Sequence, residues 1–262
     1  MNSLMSERKL SYDEVCNIPV PRVTRTYQPV SNEQLLDMLK VTTSRYDLQL
    51  ENPQFGTSNN DQRLFGTYEI VNHDHFGNQV RLMLGFRNSY DKSLSVGVCF
   101  GSKVFVCSNL VFTAYTDETG ITGNAFHRHT NPVSYRFVNR LEMALGQFSK
   151  FKEFQNKFYG RLFDTEINEN RAYATIVRAV RADVIPNADV IKVAQTWDNQ
   201  VREPLDNEIA VNWHEEFQPR TAWSLFNCFT ENHKKIQEKN PVIASQRSIN
   251  LTNMFHTEFN NN

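Results

Sequence analysis

Residues 80–100 read VRLMLGFRNSYDKSLSVGVCF. Val80, Leu82, Leu84 and Phe86 recur at every second position, and so do Leu94, Val96, Val98 and Phe100. A period of two places each apolar set on one face of a strand. Between them lie Asn88, Ser89, Tyr90, Asp91, Lys92 and Ser93. Asn, Asp and Ser are turn formers because their short side chains bond the nearby backbone. The stretch therefore predicts two neighbouring strands joined by a turn.

The same pattern extends on both sides. Upstream, Tyr46, Leu48 and Leu50 alternate, the polar run Gly56–Asp61 reads as a turn, and Arg63 to Val71 reads as a strand. Downstream, Gly101-Ser102 is expected to separate the hairpin from a strand at Lys103 to Cys107, with another from Leu110 to Tyr115. Near residue 131 the period changes. Asn131 is placed to cap a helix opening on Pro132, and Phe137, Leu141, Leu145, Phe148, Phe151, Phe158 and Leu162 recur at helical spacing. Helices are also expected after Asp164, from Ala188 to Trp197, and from Pro219 onward.

Before the strands, Ser31 and Gln34 have capping-box spacing ahead of Leu35, Leu36 and Leu39. Residues 1–28, with Pro19 and Pro21, read as an extended arm, and residues 251–262 as a frayed tail. The expected fold class is α+β: an N-terminal antiparallel β-meander packed against C-terminal helices. Residues 29–250 are read as one domain, β-rich to about residue 130 and helical after.

Composition narrows the function classes. Twenty-eight Lys and Arg face twenty-nine Asp and Glu, so nucleic-acid binding requires a local patch. Nineteen Phe, nine Tyr and three Trp supply a large packed core. Cys16, Cys99, Cys107 and Cys228 show no CxxC pair and read as reduced thiols in a cytoplasmic protein. No run approaches the ~18 apolar residues of a membrane span, so no membrane partner is expected. There is no GxGxxG, Walker-type loop, HExxH or GxSxG. Enzymatic activity is thus the less favoured reading, and no cofactor is called for.

Four clusters carry the remaining chemistry. The turn holds Arg87, Asn88, Asp91 and Lys92, which suit either a phosphate or ordinary turn bonding. His127 and His129 share an H-x-H spacing with His73 and His75, although neither pair matches a familiar zinc pattern. Lys150, Lys152, Lys157 and Arg161 interleave with Phe154 and its neighbours. They read as a basic and aromatic nucleic-acid surface or as an amphipathic helix with Phe154 off its main stripe. Asn227 shares a helix face with Trp223 and Phe226 and reads as a buried, structure-specifying amide.

Several of these segments carry a family likeness. Gly85-Phe86-Arg87-Asn88-Ser89-Tyr90-Asp91-Lys92-Ser93 is followed by Gly101-Ser102-Lys103-Val104-Phe105-Val106-Cys107-Ser108-Asn109-Leu110. Together they resemble the phage/plasmid-like proteins grouped as domain of unknown function 932. Thr26-Tyr27-Gln28-Pro29-Val30, His127-Arg128-His129-Thr130 and Thr221-Ala222-Trp223-Ser224-Leu225-Phe226-Asn227 extend the resemblance to roughly residues 22–250. It implies a mobile-element setting, with no assigned catalytic residues. The leading expectation is a non-enzymatic accessory protein that contacts DNA in replication, recombination or repair. The alternatives are a protein-binding inhibitor of a host defence system and a hydrolase or nuclease with an unfamiliar site. No feature of the sequence sets an oligomeric state.

Overall fold

The computed structural model describes residues 8–71, 80–104, 109–112, 124–130, 133–200, 220–239 and 241–259. Seven strands form one antiparallel sheet: β1 (Arg8–Leu10), β2 (Leu50–Ser58), β3 (Arg63–Ile70), β4 (Val80–Ser89), β5 (Val96–Val104), β6 (Asn109–Phe112) and β7 (Asn124–His127). They lie in chain order to β6, and β7 shares an edge of β5 with it. The central hairpin pairs Leu84 with Phe100 and Phe86 with Val98. That is the register the period-two pattern demands, with both apolar sets on one face.

The helices among the described residues are α1 (Tyr12–Cys16), α2 (Asn32–Ser44), α3 (Val133–Gly146), α4 (Phe148–Asp164), α5 (Glu169–Arg181), α6 (Val190–Asn199), α7 (Ala222–Lys239) and α8 (Pro241–Phe259), with a single 3-10 turn at Asn187–Asp189. The fold is α+β, as expected. The capping box at Ser31 and Gln34 is present, and a second one, Ser11 with Glu14, opens α1.

Several expectations are corrected. Inside the segment read as an extended arm, β1 pairs with β2, and Leu10, Val15 and Ile18 bury in the core. The sequence pattern there is too short to register, but three buried apolar side chains hold it. Gly101-Ser102 does not break the strand: β5 runs through to Val104, because Ser102 faces Tyr159 and hydrogen bonds to its hydroxyl. The single long helix divides at Gly146 and Gln147 into α3 and α4. Finally, the tail read as frayed continues α8 to Phe259, since Leu251, Phe255 and Phe259 lie one turn apart and are buried. Tyr46 falls in a turn, with β2 beginning at Leu50. Asn131, Pro132 and Pro219 lie outside the described residues.

Apolar side chains gather in two clusters. The first joins the sheet to α1, α2, α3 and the start of α4 through Leu35, Leu84, Phe86, Phe100, Phe137 and Phe148. The second centres on α4, α5, α6, α7 and α8 through Tyr159, Trp197, Trp223, Phe226 and Phe255. Helix α4 contributes to both and so forms their common wall.

Candidate nucleic-acid interface

Tyr27 is where distant segments meet. Its turn is closed by a hydrogen bond from the Thr24 amide to the Tyr27 carbonyl at 2.9 Å. The Gln28 amide donates to the His129 carbonyl at 3.0 Å, which ties this turn to the run leaving β7. The Tyr27 hydroxyl donates to the Tyr90 carbonyl at 3.3 Å, reaching the β4–β5 turn. The His129 ring lies 5.7 Å from the Tyr27 ring, and Lys92 Nζ lies 4.7 Å from its centroid. Lys92 has φ 63, so its backbone sits in the left-handed region. Two of the sequence clusters, the β4–β5 turn and the H-x-H run, are therefore neighbours in the fold.

Beside them, the Phe126 ring lies directly over Gly97, where a Cβ would stand 2.0 Å from the ring. Any larger residue at position 97 displaces the ring. The Arg87 guanidinium stacks over Phe126 at 4.6 Å and donates to the Ser95 carbonyl and hydroxyl, each at 3.3 Å. Arg140, on α3, donates to the Phe126 carbonyl. Burial, with the charges of Arg140 and Arg136, pushes the His127 pKa below its ordinary value. Burial also lowers that of His129; the Gln28 backbone opposes this and His127 adds to it. Both shifts favour the neutral imidazole beside fixed guanidinium charge.

The surroundings are short of carboxylates. Residues 22–30, 124–130 and 133–141 hold no Asp or Glu, while they supply Arg22, Arg25, Arg128, Arg136 and Arg140. All five arginines are exposed. In the turn, the carboxylate of Asp91 is held inward. It accepts from Arg63 Nε at 2.7 Å, Asn59 Nδ2 at 2.8 Å and the Ser93 amide at 2.9 Å. Burial works against its charge, but the bonds from Ser93, Arg63 and Asn59 outweigh it and hold the pKa at about 2.

The other turn residues divide sharply. Asn88, read as a candidate contact, is fully buried. Its amide donates to the Val30 carbonyl at 2.9 Å and to Asn32 Oδ1 at 2.8 Å, and its own Oδ1 accepts from the Ser89 amide at 3.0 Å. It pins α2 to β4 and faces no solvent. Lys92 and Ser93 form the exposed tip. On α4, Lys150, Lys157 and Arg161 are exposed and Lys152 half-buried; Lys157 pairs with Glu153 at 2.6 Å. Phe154 packs against Phe158 at 5.9 Å and His256 at 5.2 Å, so contact with α8 accounts for its place off the stripe. Asn227 donates to the Trp223 carbonyl at 2.9 Å and is buried.

His73 and His75 lie outside the described residues. Among the described residues no group of three or more His, Cys, Asp or Glu could hold a metal ion. No helix among them is long and apolar enough to cross a membrane. A cleft of about 480 Å³ between α5 and α8 is lined by Arg178, Asn250, Asn253 and Glu258. Its two charges are bonded to each other at 2.5 Å, and Thr175 also donates to Glu258 at 2.6 Å.

Sequence reasoning did not single out Tyr27, Phe126, Arg136 or Arg140. The signal that points to three of these segments is the absence of Asp and Glu over 22–30, 124–130 and 133–141, visible only when each segment's charges are counted separately. Comparison with known proteins adds one match: a family model described as domain of unknown function (DUF932) covers residues 20–255. No curated protein and no solved structure matches the chain.

Proposed function

The chain belongs to the domain of unknown function 932 family, and from that premise we propose that it is a non-enzymatic, nucleic-acid-associated accessory protein of a phage, plasmid or related mobile element. The observation that carries this reading is the carboxylate-poor arginine rim around Tyr27, His127 and His129. A chain with formal net charge −1 has no general attraction for polyanions, so a segregated cationic surface is what such binding needs. Arginine suits it because the planar guanidinium forks onto phosphate oxygens. Asp91, the carboxylate of the adjoining turn, is paired with Arg63, which lessens its repulsion of a phosphate chain without removing it.

The interface differs from the one the sequence suggested on α4. There, Lys157 is partnered by Glu153, and the phenylalanines pack inward. Around Tyr27, Arg22 and Arg25 flank the ring in sequence, Arg128 stands between the two histidines, and Arg136 and Arg140 of α3 act on His127 and the Phe126 carbonyl.

Binding of labelled DNA by the full chain, titrated at several salt concentrations, tests the proposal. Affinity should fall steeply with salt, because each phosphate contact releases condensed counterions. Replacing Arg136 and Arg140 together with Ala should weaken binding and flatten the salt slope by about 1.4–1.8 for two lost contacts. Folded protein that gives no salt-sensitive binding at low ionic strength would sink the reading, and a stable complex with a host protein would then favour the defence-inhibitor alternative.

A further inference from the structure

We infer that the outer face of α3 is a stacking platform for single-stranded nucleic acid, with Tyr135 as its aromatic and Arg136 and Arg140 as its phosphate contacts. The inference rests on the nucleic-acid reading above and deepens it by naming the strand state. Phe137, Leu141, Ala144 and Leu145 bury one side of α3 in the core. Tyr135, Arg136, Asn139 and Arg140 are exposed, and their spacing puts them on the opposite face within about one turn and a half. Tyr135 is 68 % exposed, against 39 % for Tyr46 and 38 % for Tyr173. The Tyr173 hydroxyl is also bonded to Asp198 at 2.7 Å, whereas Tyr135 makes no such bond among the described residues.

A large aromatic left in water costs free energy unless something covers it. The residues beside Tyr135 decide what that is. Two guanidiniums and a side-chain amide match a ribose–phosphate chain with exposed base edges, and an apolar protein surface would have to desolvate both charges. A base can stack on the phenol ring only when it is unpaired, since a duplex buries its base faces. Arg136 and Arg140 carry their charge towards His127 and Phe126, so a strand stacked on Tyr135 continues over the rim already described.

The test compares affinities of the full chain for single-stranded DNA, single-stranded RNA and duplex DNA of the same base sequence. It uses the native protein, Tyr135→Ala, Tyr135→Phe and the paired Arg136→Ala, Arg140→Ala variant, with circular dichroism confirming that each is folded. Tyr135→Ala should lose about tenfold in affinity for single strands and leave duplex binding unchanged. Tyr135→Phe should restore it, because stacking needs the ring and not the hydroxyl. The DNA and RNA arms show whether the 2′-hydroxyl contributes. Equal losses for single and double strands, or no loss in Tyr135→Ala while the arginine pair weakens both, would overturn this inference and leave the proposed function standing. Binding of neither acid by the folded native chain would overturn both and assign the face to a protein partner.

Discussion

Beneath the sheet, buried polar groups bond across long stretches of chain, whereas in the helical half most of them turn back onto their own helix. Asn88 reaches Val30 and Asn32, the Asn32 amide donates to the Tyr90 hydroxyl at 2.9 Å, and Tyr27 reaches the Tyr90 carbonyl. In α7, Ser224 donates to the Thr221 carbonyl, Asn227 to Trp223 and Thr230 to Asn227; in α8, Thr252 donates to Ser248. Two cross-links stand out there: Gln200 to the Ser224 carbonyl at 3.0 Å and His233 to the Val184 carbonyl at 2.9 Å. The indole N–H groups of Trp197 and Trp223 meet no acceptor among the described residues. The contrast follows from secondary structure. A helix satisfies polar groups locally, while a sheet with irregular segments laid over it must fix them by specific long-range bonds. The helical half is accordingly held by ring packing, and the sheet half by packing plus polar pins.

The largest expected effect lies in the helical half. Trp223 contacts Phe163 at 4.6 Å, Tyr159 at 5.6 Å and Phe226 at 6.1 Å between ring centres. Trp223→Ala should cost about 3–5 kcal/mol in urea denaturation. Trp223→Phe should cost much less, because no hydrogen bond goes with the indole. Similar losses from both variants would break the comparison by showing that the N–H matters.

The His233 cross-link gives the next effect, and it depends on pH. Burial lowers its pKa to about 4; the Val184 carbonyl and Asp189 oppose this, and Arg247 adds to it. The unfolded chain takes up its proton near pH 6.5, well before the folded protein does. Stability from a neutral His233 is therefore full above about pH 6.5 and is lost as pH falls towards 4, by up to roughly 3 kcal/mol. Denaturation midpoints measured across that window should slope in the native protein and slope less in His233→Gln. Parallel slopes would mean that His233 is not the group that titrates.

In the sheet half, Asn88→Ala should cost about 2–3 kcal/mol, because the Val30 carbonyl and Asn32 Oδ1 are left buried without their donor. A double-mutant cycle with Asn32→Ala sharpens the contrast. The two substitutions should be non-additive by about 1 kcal/mol or more, as residues in one network are. An equivalent cycle of Asn227→Ala with Trp223→Phe should be close to additive, since the Trp223 partner atom is a backbone carbonyl that survives the substitution.

What was legible in the sequence follows the same division. The β4–β5 hairpin could be read because Val80, Leu82, Leu84 and Phe86, and then Leu94, Val96, Val98 and Phe100, fall at every second position, and a period of two constrains the register. The break at Gly146 could not, because Phe137, Leu141, Leu145 and Phe148 keep helical spacing through it. α8 was missed because its apolar stripe, Leu251, Phe255 and Phe259, is narrow and set among polar residues. Asn88 looked like a turn residue open to a ligand, since residue type says nothing about which carbonyls a distant segment will bring. The rim was beyond local reading for the same reason. Tyr27, Lys92 and His129 lie in separate segments, and only the folded chain sets them around one ring.

The smallest effect tests whether the long-range pinning reaches the surface. Asp91 joins the two hairpin tips by accepting from Asn59 and Arg63 of one and from Ser93 of its own. Its pKa of about 2 means that the folded protein keeps the charge after the unfolded chain has lost it. The resulting stability is full above about pH 3.8 and is lost as pH falls through 2. The Arg63 side chain is 39 % exposed, so solvent screens the pair and Asp91→Asn should cost no more than about 1 kcal/mol at neutral pH. The substitution also removes the carboxylate beside Lys92, so the same variant should bind single strands more tightly while being slightly less stable. A gain in affinity with a small loss of stability places Asp91 as a structural link at the margin of the cationic rim. A large loss of stability would instead put the tip inside the sheet's polar network, and unchanged affinity would place the bound strand away from this turn.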